Sequence, residues 1–258
     1  MPNMSDVHPT ATAGYSRTAD SYIRGRPDYP AAALEWLTAD LGLGPGKSAL
    51  ELGAGTGKFT RLLAENGATV TAVEPVGAML EALKRDLPGV ATLQGTAQRI
   101  SVPDASADVV LCAQAFHWFA STEALAEIRR VLKRGGMLGL IWNVRDQSVD
   151  WVAELTRIMA PYEGDAPRYD NGEWRRVFPA KGFGDLHERM FVHSHTGPPE
   201  QVIVERVASV SFIAALPEET RATLLAQVRA LIESTPDLAG KKEVRMPYIT
   251  QAYWAEAT

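Results

Sequence analysis

One cysteine in 258 residues leaves no internal disulfide to staple the chain, which excludes a cystine-framed secreted domain and favours a reducing compartment. That residue, Cys112, sits in an apolar run and reads as a small buried hydrophobe rather than a nucleophile. Basic charge is scarce too. The 26 Lys and Arg against 31 Asp and Glu give a net charge of -5 with no dense basic block, which argues against generic binding to nucleic acid or an anionic membrane. The longest wholly apolar stretch, glycine included, is near Gly135 to Trp142, far short of the ~20 residues that span a bilayer. Met1 to Val7 has neither the basic start nor the apolar run of a secretory signal, so a cytoplasmic location is expected.

What is present is an ordinary globular composition, 46% hydrophobic, without repeats or low-complexity tracts. From about residue 48 to 142, short apolar runs alternate with longer helical patterns, the signature of a parallel sheet. Strands are expected at Ser48 to Leu52, Ala68 to Val73, Val90 to Leu93, Asp108 to Ala113 and Met137 to Trp142. The first intervening helix carries Phe59, Leu62 and Leu63 and closes at Gly67; the second has its apolar face on Val76, Met79, Leu80, Leu83 and Leu87. A third is capped at Ser121 or Thr122, and its basic end, Arg130, Lys133 and Arg134, complements the helix dipole before Gly135-Gly136 stops it. After Asn143 a helix near Val149 to Met159 leads into a looser stretch from Pro161 to Gly172. Two extended segments, Leu186 to His195 and Val244 to Tyr253, flank helical patterns at Val202 to Ile213 and Pro217 to Ile232 and would complete the sheet.

The strongest chemical signal is ELGAGTGKF, Glu51 to Phe59, where a strand meets Gly53, Gly55 and Gly57 and then opens a helix. Glycines at alternate positions let the backbone turn tightly and let a ligand approach unobstructed. Open parallel sheets bind ligands at this end of their strands. The spacing fails as a P-loop, because only three residues separate Gly53 from Gly57-Lys58 and Phe59 replaces the Ser or Thr. It also departs from the dinucleotide fingerprint, whose third glycine would fall at Lys58; a nicotinamide site is weakened, not eliminated. Glu74, at the tip of the second strand, can accept hydrogen bonds from both ribose hydroxyls of an adenosine. Glycine turn and acid together favour a nucleoside site.

These residues carry a resemblance. The ELGAGTG turn, AVEP at residues 72 to 75, GTAQRISVPDASADVV at 95 to 110 and AFHWF at 115 to 119 follow the order and approximate spacing of class I S-adenosylmethionine-dependent methyltransferases. The opening AGYSRTADSYIRGRPDYP resembles the small-molecule branch that includes trans-aconitate methyltransferase-like proteins. The resemblance implies an α/β, Rossmann-like, mostly parallel seven-stranded sheet with helices on both faces. It divides the chain into an N-terminal lid (1–30), a cofactor-binding core (31–142), a substrate-facing insertion after strand five (143–183) and a C-terminal completion (184–258). It implies S-adenosylmethionine as cofactor, with Gly53, Ala54, Gly55 and Gly57 along its methionine portion and Glu74 on the ribose. Pro75 and Met79 would neighbour the nucleoside, Thr96, Ala97 and Gln98 the adenine, and Gln114 and Ala115 the sulfonium. Glu51 would either organise the cofactor's ammonium through water or serve structure alone.

Methyl transfer is an in-line displacement that needs alignment and exclusion of water, with a base only where the acceptor must lose a proton. His117, flanked by Phe116, Trp118 and Phe119, is the candidate base, and Trp118 a candidate substrate contact. Tyr15, Tyr22 and Arg26 could form a lid, the tyrosine faces attracting a sulfonium cation and the arginine pairing with a carboxylate. His193 and His195 alternate on a strand without accompanying ligands, so no metal is expected. The expected activity is methyl transfer to a small organic acceptor, a carboxylate or phenolic metabolite, without nucleic-acid or membrane partners. The alternatives are an RNA or protein acceptor, a nicotinamide oxidoreductase and a nonenzymatic adenosyl-ligand binding protein.

Overall fold

A computed structural model describes residues 26–165 and 167–258. The expected lid residues Tyr15 and Tyr22, and most of the opening motif around them, lie outside this range; Arg26 lies within it.

The chain runs α1 (Ala32–Ala39), β1 (Ser48–Leu52), α2 (Lys58–Glu65), β2 (Thr69–Val73), α3 (Gly77–Asp86), β3 (Ala91–Leu93), β4 (Ala107–Ala113), α4 (Thr122–Val131) and β5 (Leu132–Arg145). Then follow α5 (Asp150–Met159), β6 (His187–Gly197), helical turns at Glu200–Glu205, Arg206–Ala208 and Ser211–Ala214, α6 (Glu218–Ser234) and β7 (Val244–Glu256). The seven strands form one sheet in the order β3-β2-β1-β4-β5-β7-β6. Strands β1 to β5 pair in parallel, and β7 is antiparallel to both β5 and β6. The order reverses at β1, between β2 and β4. Connections there leave in opposite directions and open a crevice at the strands' carboxyl ends.

The central strands are apolar because both faces of the sheet are covered. Along β4, Val109 and Leu111 join Trp36, Leu37, Phe59 and Leu63 on one face, while Val110 and Cys112 join Phe116, Ile128 and Trp142 on the other. That is the period-two alternation of a strand. A third cluster packs α5, the 200–208 turns and α6 around Met246 and Tyr248.

One boundary differs from expectation. Helix α4 is capped by the Ser121 hydroxyl, which accepts the Ala124 N–H at 3.1 Å, but it ends at Val131, and Lys133 and Arg134 belong to β5. Leu132 pairs with Ala107, and the Lys133 Nζ bonds Asp108 at 2.8 Å, so tertiary pairing draws these residues into the sheet. Arg130 stays helical and bonds Glu127 at 2.8 Å. At its other end β5 runs past Trp142 to Arg145, because β7 supplies an antiparallel partner along that length.

Candidate functional site

Strand β1 ends in the glycine turn, where Gly53 and Gly55 take φ of +71° and +58°, open to glycine at little cost. The N–H groups of Gly53 and Ala54 donate to the Val73 carbonyl at 2.9 and 3.1 Å, tying the turn to β2. A Cβ on Gly53 would stand 2.7 Å from the Cβ of Ala115, so the turn and the β4 exit touch where a side chain would intrude.

Glu74 at the tip of β2 is buried, and its carboxylate accepts the N–H of Gly55 and the N–H of Val76, each at 2.9 Å. Burial pushes its pKa up to about 7, and the two backbone donors hold it from rising further. Glu51, 1% exposed, accepts the Thr60 hydroxyl at 2.6 Å; burial raises it to about 8 against that bond, with Glu74 nearby adding to the rise.

Both acids line a cleft of about 1180 Å³, its mouth included. Of the residues expected at a cofactor site, Gly53, Ala54, Gly55, Glu74, Pro75, Met79, Thr96, Ala97, Gln98, Gln114 and Ala115 line it, as do Arg26 and Trp118. Gly57 is not among the lining residues. It occupies the N-cap of α2 at φ +89°, and a Cβ there would meet Leu83 at 2.9 Å, so its part is in helix packing. Gln114 holds φ +57°, sparsely populated outside glycine, while its backbone N–H reaches Ile141 and its side chain the Asn143 carbonyl. Gln98 keeps its Oε1 shielded and without a hydrogen-bond partner among the described residues.

A second cavity of about 790 Å³, mouth included, shares Arg26, Gln114, Trp118, Asn143 and Arg206 with the first and adds His117, Trp142, Arg145, Arg168 and Tyr169. His117 lines this cavity. The Trp142 indole N–H donates to its Nδ1 at 3.0 Å, which leaves the neutral ring's proton on Nε2. Burial, helped by Arg26, pushes its pKa down to about 3. The arrangement presents a donor and does not suit the proton acceptor expected from sequence. Trp142 also packs on Trp174 and Tyr169, with ring centroids 4.8 Å apart in each case, so Trp142 and Trp174 belong to the core while Trp142 and Tyr169 form one wall of this cavity.

Among the lining residues not singled out from sequence, three shape the site. Lys58, read only as a departure from the dinucleotide pattern, bonds the Arg26 carbonyl and pairs with Asp28 at 3.1 Å, fastening the 26–28 segment over the cleft. Asn143 accepts the Thr250 hydroxyl at 2.6 Å and donates to the Asp28 carbonyl at 3.2 Å. Arg206 is buried beside Val202, Ile203, Val204 and Val207, and an arginine inside so apolar a helical run is the signal that could have found it. His193 Nε2 lies 3.3 Å from Asn143 Oδ1, and its ring stacks on Tyr248. Among the described residues no group of three or more His, Cys, Asp or Glu gathers as a metal site, and no helix is long and apolar enough to cross a membrane.

Comparison with known proteins agrees with this geometry. Residues 50–140 match the family described as "Methyltransferase domain". An uncharacterized methyltransferase-like protein of Schizosaccharomyces pombe is 38% identical over 91% of this chain and 92% of its own length. An uncharacterized methyltransferase of Mycobacterium tuberculosis is also 38% identical, over 92% of each chain. In fold, the chain is similar to a solved structure assigned as a type II methyltransferase from Anaeromyxobacter dehalogenans. The TM-score is 0.66 at 24% identity, with 90% of this chain and 97% of that one covered.

Proposed function

The chain belongs to the class I S-adenosylmethionine-dependent methyltransferases, and from that premise we propose that it methylates a small organic acceptor, a carboxylate or phenolic metabolite, seated in the second cavity. The observation that carries this reading is the pair of cavities that meet at Gln114, Trp118 and Asn143: one is lined by the glycine turn and Glu74, the other by aromatic and arginine side chains.

The first cleft fits the cofactor. The glycine turn leaves its backbone approachable, Glu74 retains acceptor capacity beyond its two backbone donors, and the unpartnered Oε1 belongs to Gln98, on the loop after β3. When bound, S-adenosylmethionine supplies a methyl group activated on a positively charged sulfur, open to in-line displacement. In this reading Glu74 accepts from the ribose hydroxyls, Gln98 meets the base, and the Gly53–Gly55 backbone lies along the amino-acid portion. Glu51, beneath the turn, keeps the Thr60 contact and helps organise the ammonium end through water. Trp118 and Gln114 stand at the junction, where they orient the acceptor and exclude water. His117 enters as a hydrogen-bond donor that positions the acceptor, in place of the base its sequence position suggested.

The test is turnover. Incubation with S-adenosylmethionine and a panel of carboxylates and phenols is expected to yield S-adenosylhomocysteine and a methylated product of matching mass. Binding of NADH with no binding of either adenosyl ligand would overturn the reading.

A further inference from the structure

Arg206 is buried in the wall that the two cavities share, only 9% exposed, and its Nε and Nη1 have no hydrogen-bond partner among the described residues. A guanidinium that leaves two of its nitrogens open in so shielded a place, with Tyr248 its hydrogen-bonding neighbour, is costly, and native chains rarely keep one without a use. The neighbouring charges do not relieve it. Arg26, which donates to the Ser209 carbonyl at 3.2 Å, and Arg145 both act on Arg206 as like charges. Burial and these cations lower its pKa to about 10, with Tyr248 opposing, so it stays charged at neutral pH. Glu163, on the same cavity, is engaged by Arg168.

Resting on the methyltransferase reading and narrowing its acceptor, we propose that the second cavity is the acceptor subsite and that Arg206 holds an oxyanion of the acceptor there, a carboxylate or a phosphate. An oxyanion would satisfy the open N–H groups with charge-assisted hydrogen bonds and neutralise a cluster otherwise repulsive. The aromatic wall of Trp118, Trp142 and Tyr169 would cover the organic remainder, and the cavity's contact with the first cleft sets the acceptor beside the methyl donor.

The experiment titrates benzoate, glutarate, phenyl phosphate and neutral benzamide by calorimetry into the protein saturated with S-adenosylhomocysteine, for wild type and Arg206→Met. Binding of S-adenosylhomocysteine to wild type is measured first; its failure counts against the methyltransferase reading and is thereby separated from failure of the subsite. With the product bound, at least one anion is expected to bind wild type while benzamide does not, and the two anion classes reveal which oxyanion is held. Arg206→Met is expected to weaken that anion by roughly tenfold or more. It is also expected to melt at a higher temperature than wild type without ligand, since it removes a buried charge that leaves two nitrogens open. Arg206→Lys, which keeps a positive charge, is expected to recover part of the binding. No saturable anion binding to wild type, equal binding in Arg206→Met, or a lowered melting temperature with binding unchanged overturns the proposal.

Discussion

The Glu74 carboxylate accepts the Gly55 backbone N–H at 2.9 Å, so the acidic tip of β2 and the glycine turn after β1 form one unit across the switch point of the sheet. A carboxyl so placed is already half-organised for a diol, because one oxygen is oriented by the turn and the other by Val76. Its burial makes it responsive to pH near neutrality, and that gives several measurable consequences.

Without ligand, both cleft acids favour the protonated form in the folded state: Glu51 is raised from 4.5 to about 8 and Glu74 from 4.5 to about 7. Raised pKa values of this kind contribute stability that is fully present below about pH 4.5 and is lost as pH climbs through 7 and 8, on the order of a few kcal/mol for the pair. The melting temperature of the ligand-free protein is therefore expected to fall between about pH 5 and pH 9. Glu51→Gln should flatten that slope; an equal slope in wild type and variant would contradict the assignment to Glu51.

If Glu74 holds the ribose as proposed, the hydroxyls would donate to its ionised carboxylate, so ligand binding should expel a proton from Glu74. The affinity for S-adenosylhomocysteine is expected to rise as pH goes from about 6 to about 8, up to roughly tenfold per pH unit below the pKa of Glu74. Calorimetry in buffers of different ionisation enthalpy reads the proton release directly. In Glu74→Gln the release attributable to this group should vanish.

Gly53→Ala places a Cβ 2.7 Å from that of Ala115, at a φ of +71°. Steric overlap and left-handed strain together are expected to cost about 1–3 kcal/mol in denaturant unfolding, with loss of cofactor affinity. Pairing it with Ala115→Gly should restore part of the stability, since the overlap is relieved while the strain at φ remains. No recovery in the double variant would mean the contact with Ala115 is not the cause.

Much of this was legible in the sequence, for local reasons. The first four strands, a cap at Ser121 or Thr122 and the acid at Glu74 follow from short-range periodicity and punctuation, and the glycine spacing marks its own turn. What was missed depends on distant partners. Lys133 and Arg134 look like a helix end until Asp108 and Ala107 draw this stretch into β5, and the length of β5 is set by β7 more than a hundred residues later. Gly57 shares the motif's spacing with Gly53 and Gly55, but it faces Leu83 rather than the cleft, a distinction only helix packing can make. Asn143 reaches the site from the far end of β5, where no local motif announces it, and Arg206 from the helical turns after β6, where an arginine among buried valines is the only local signal.

His117 offers an independent check on the second cavity. With the Trp142 indole donating to Nδ1 and a pKa near 3, the imidazole is expected to remain neutral, with its proton on Nε2, from about pH 5 to pH 8. Nitrogen NMR of the labelled ring distinguishes the tautomers. A titration near pH 6.5 would instead restore the case for His117 as a base. Trp142→Phe removes the donor and should raise the pKa, with burial still holding it below the ordinary range.

The most direct test is a calorimetric titration of S-adenosylhomocysteine into wild type and Glu74→Ala, with NADH as the control ligand. Saturable binding to wild type, weakened roughly 10- to 150-fold by loss of hydrogen bonds to a charged group, is the expected result. NADH should give no heat of binding. Failure of S-adenosylhomocysteine to bind wild type, or equal affinity in Glu74→Ala, would contradict the assignment of the first cleft to the methyl donor and of Glu74 to its ribose.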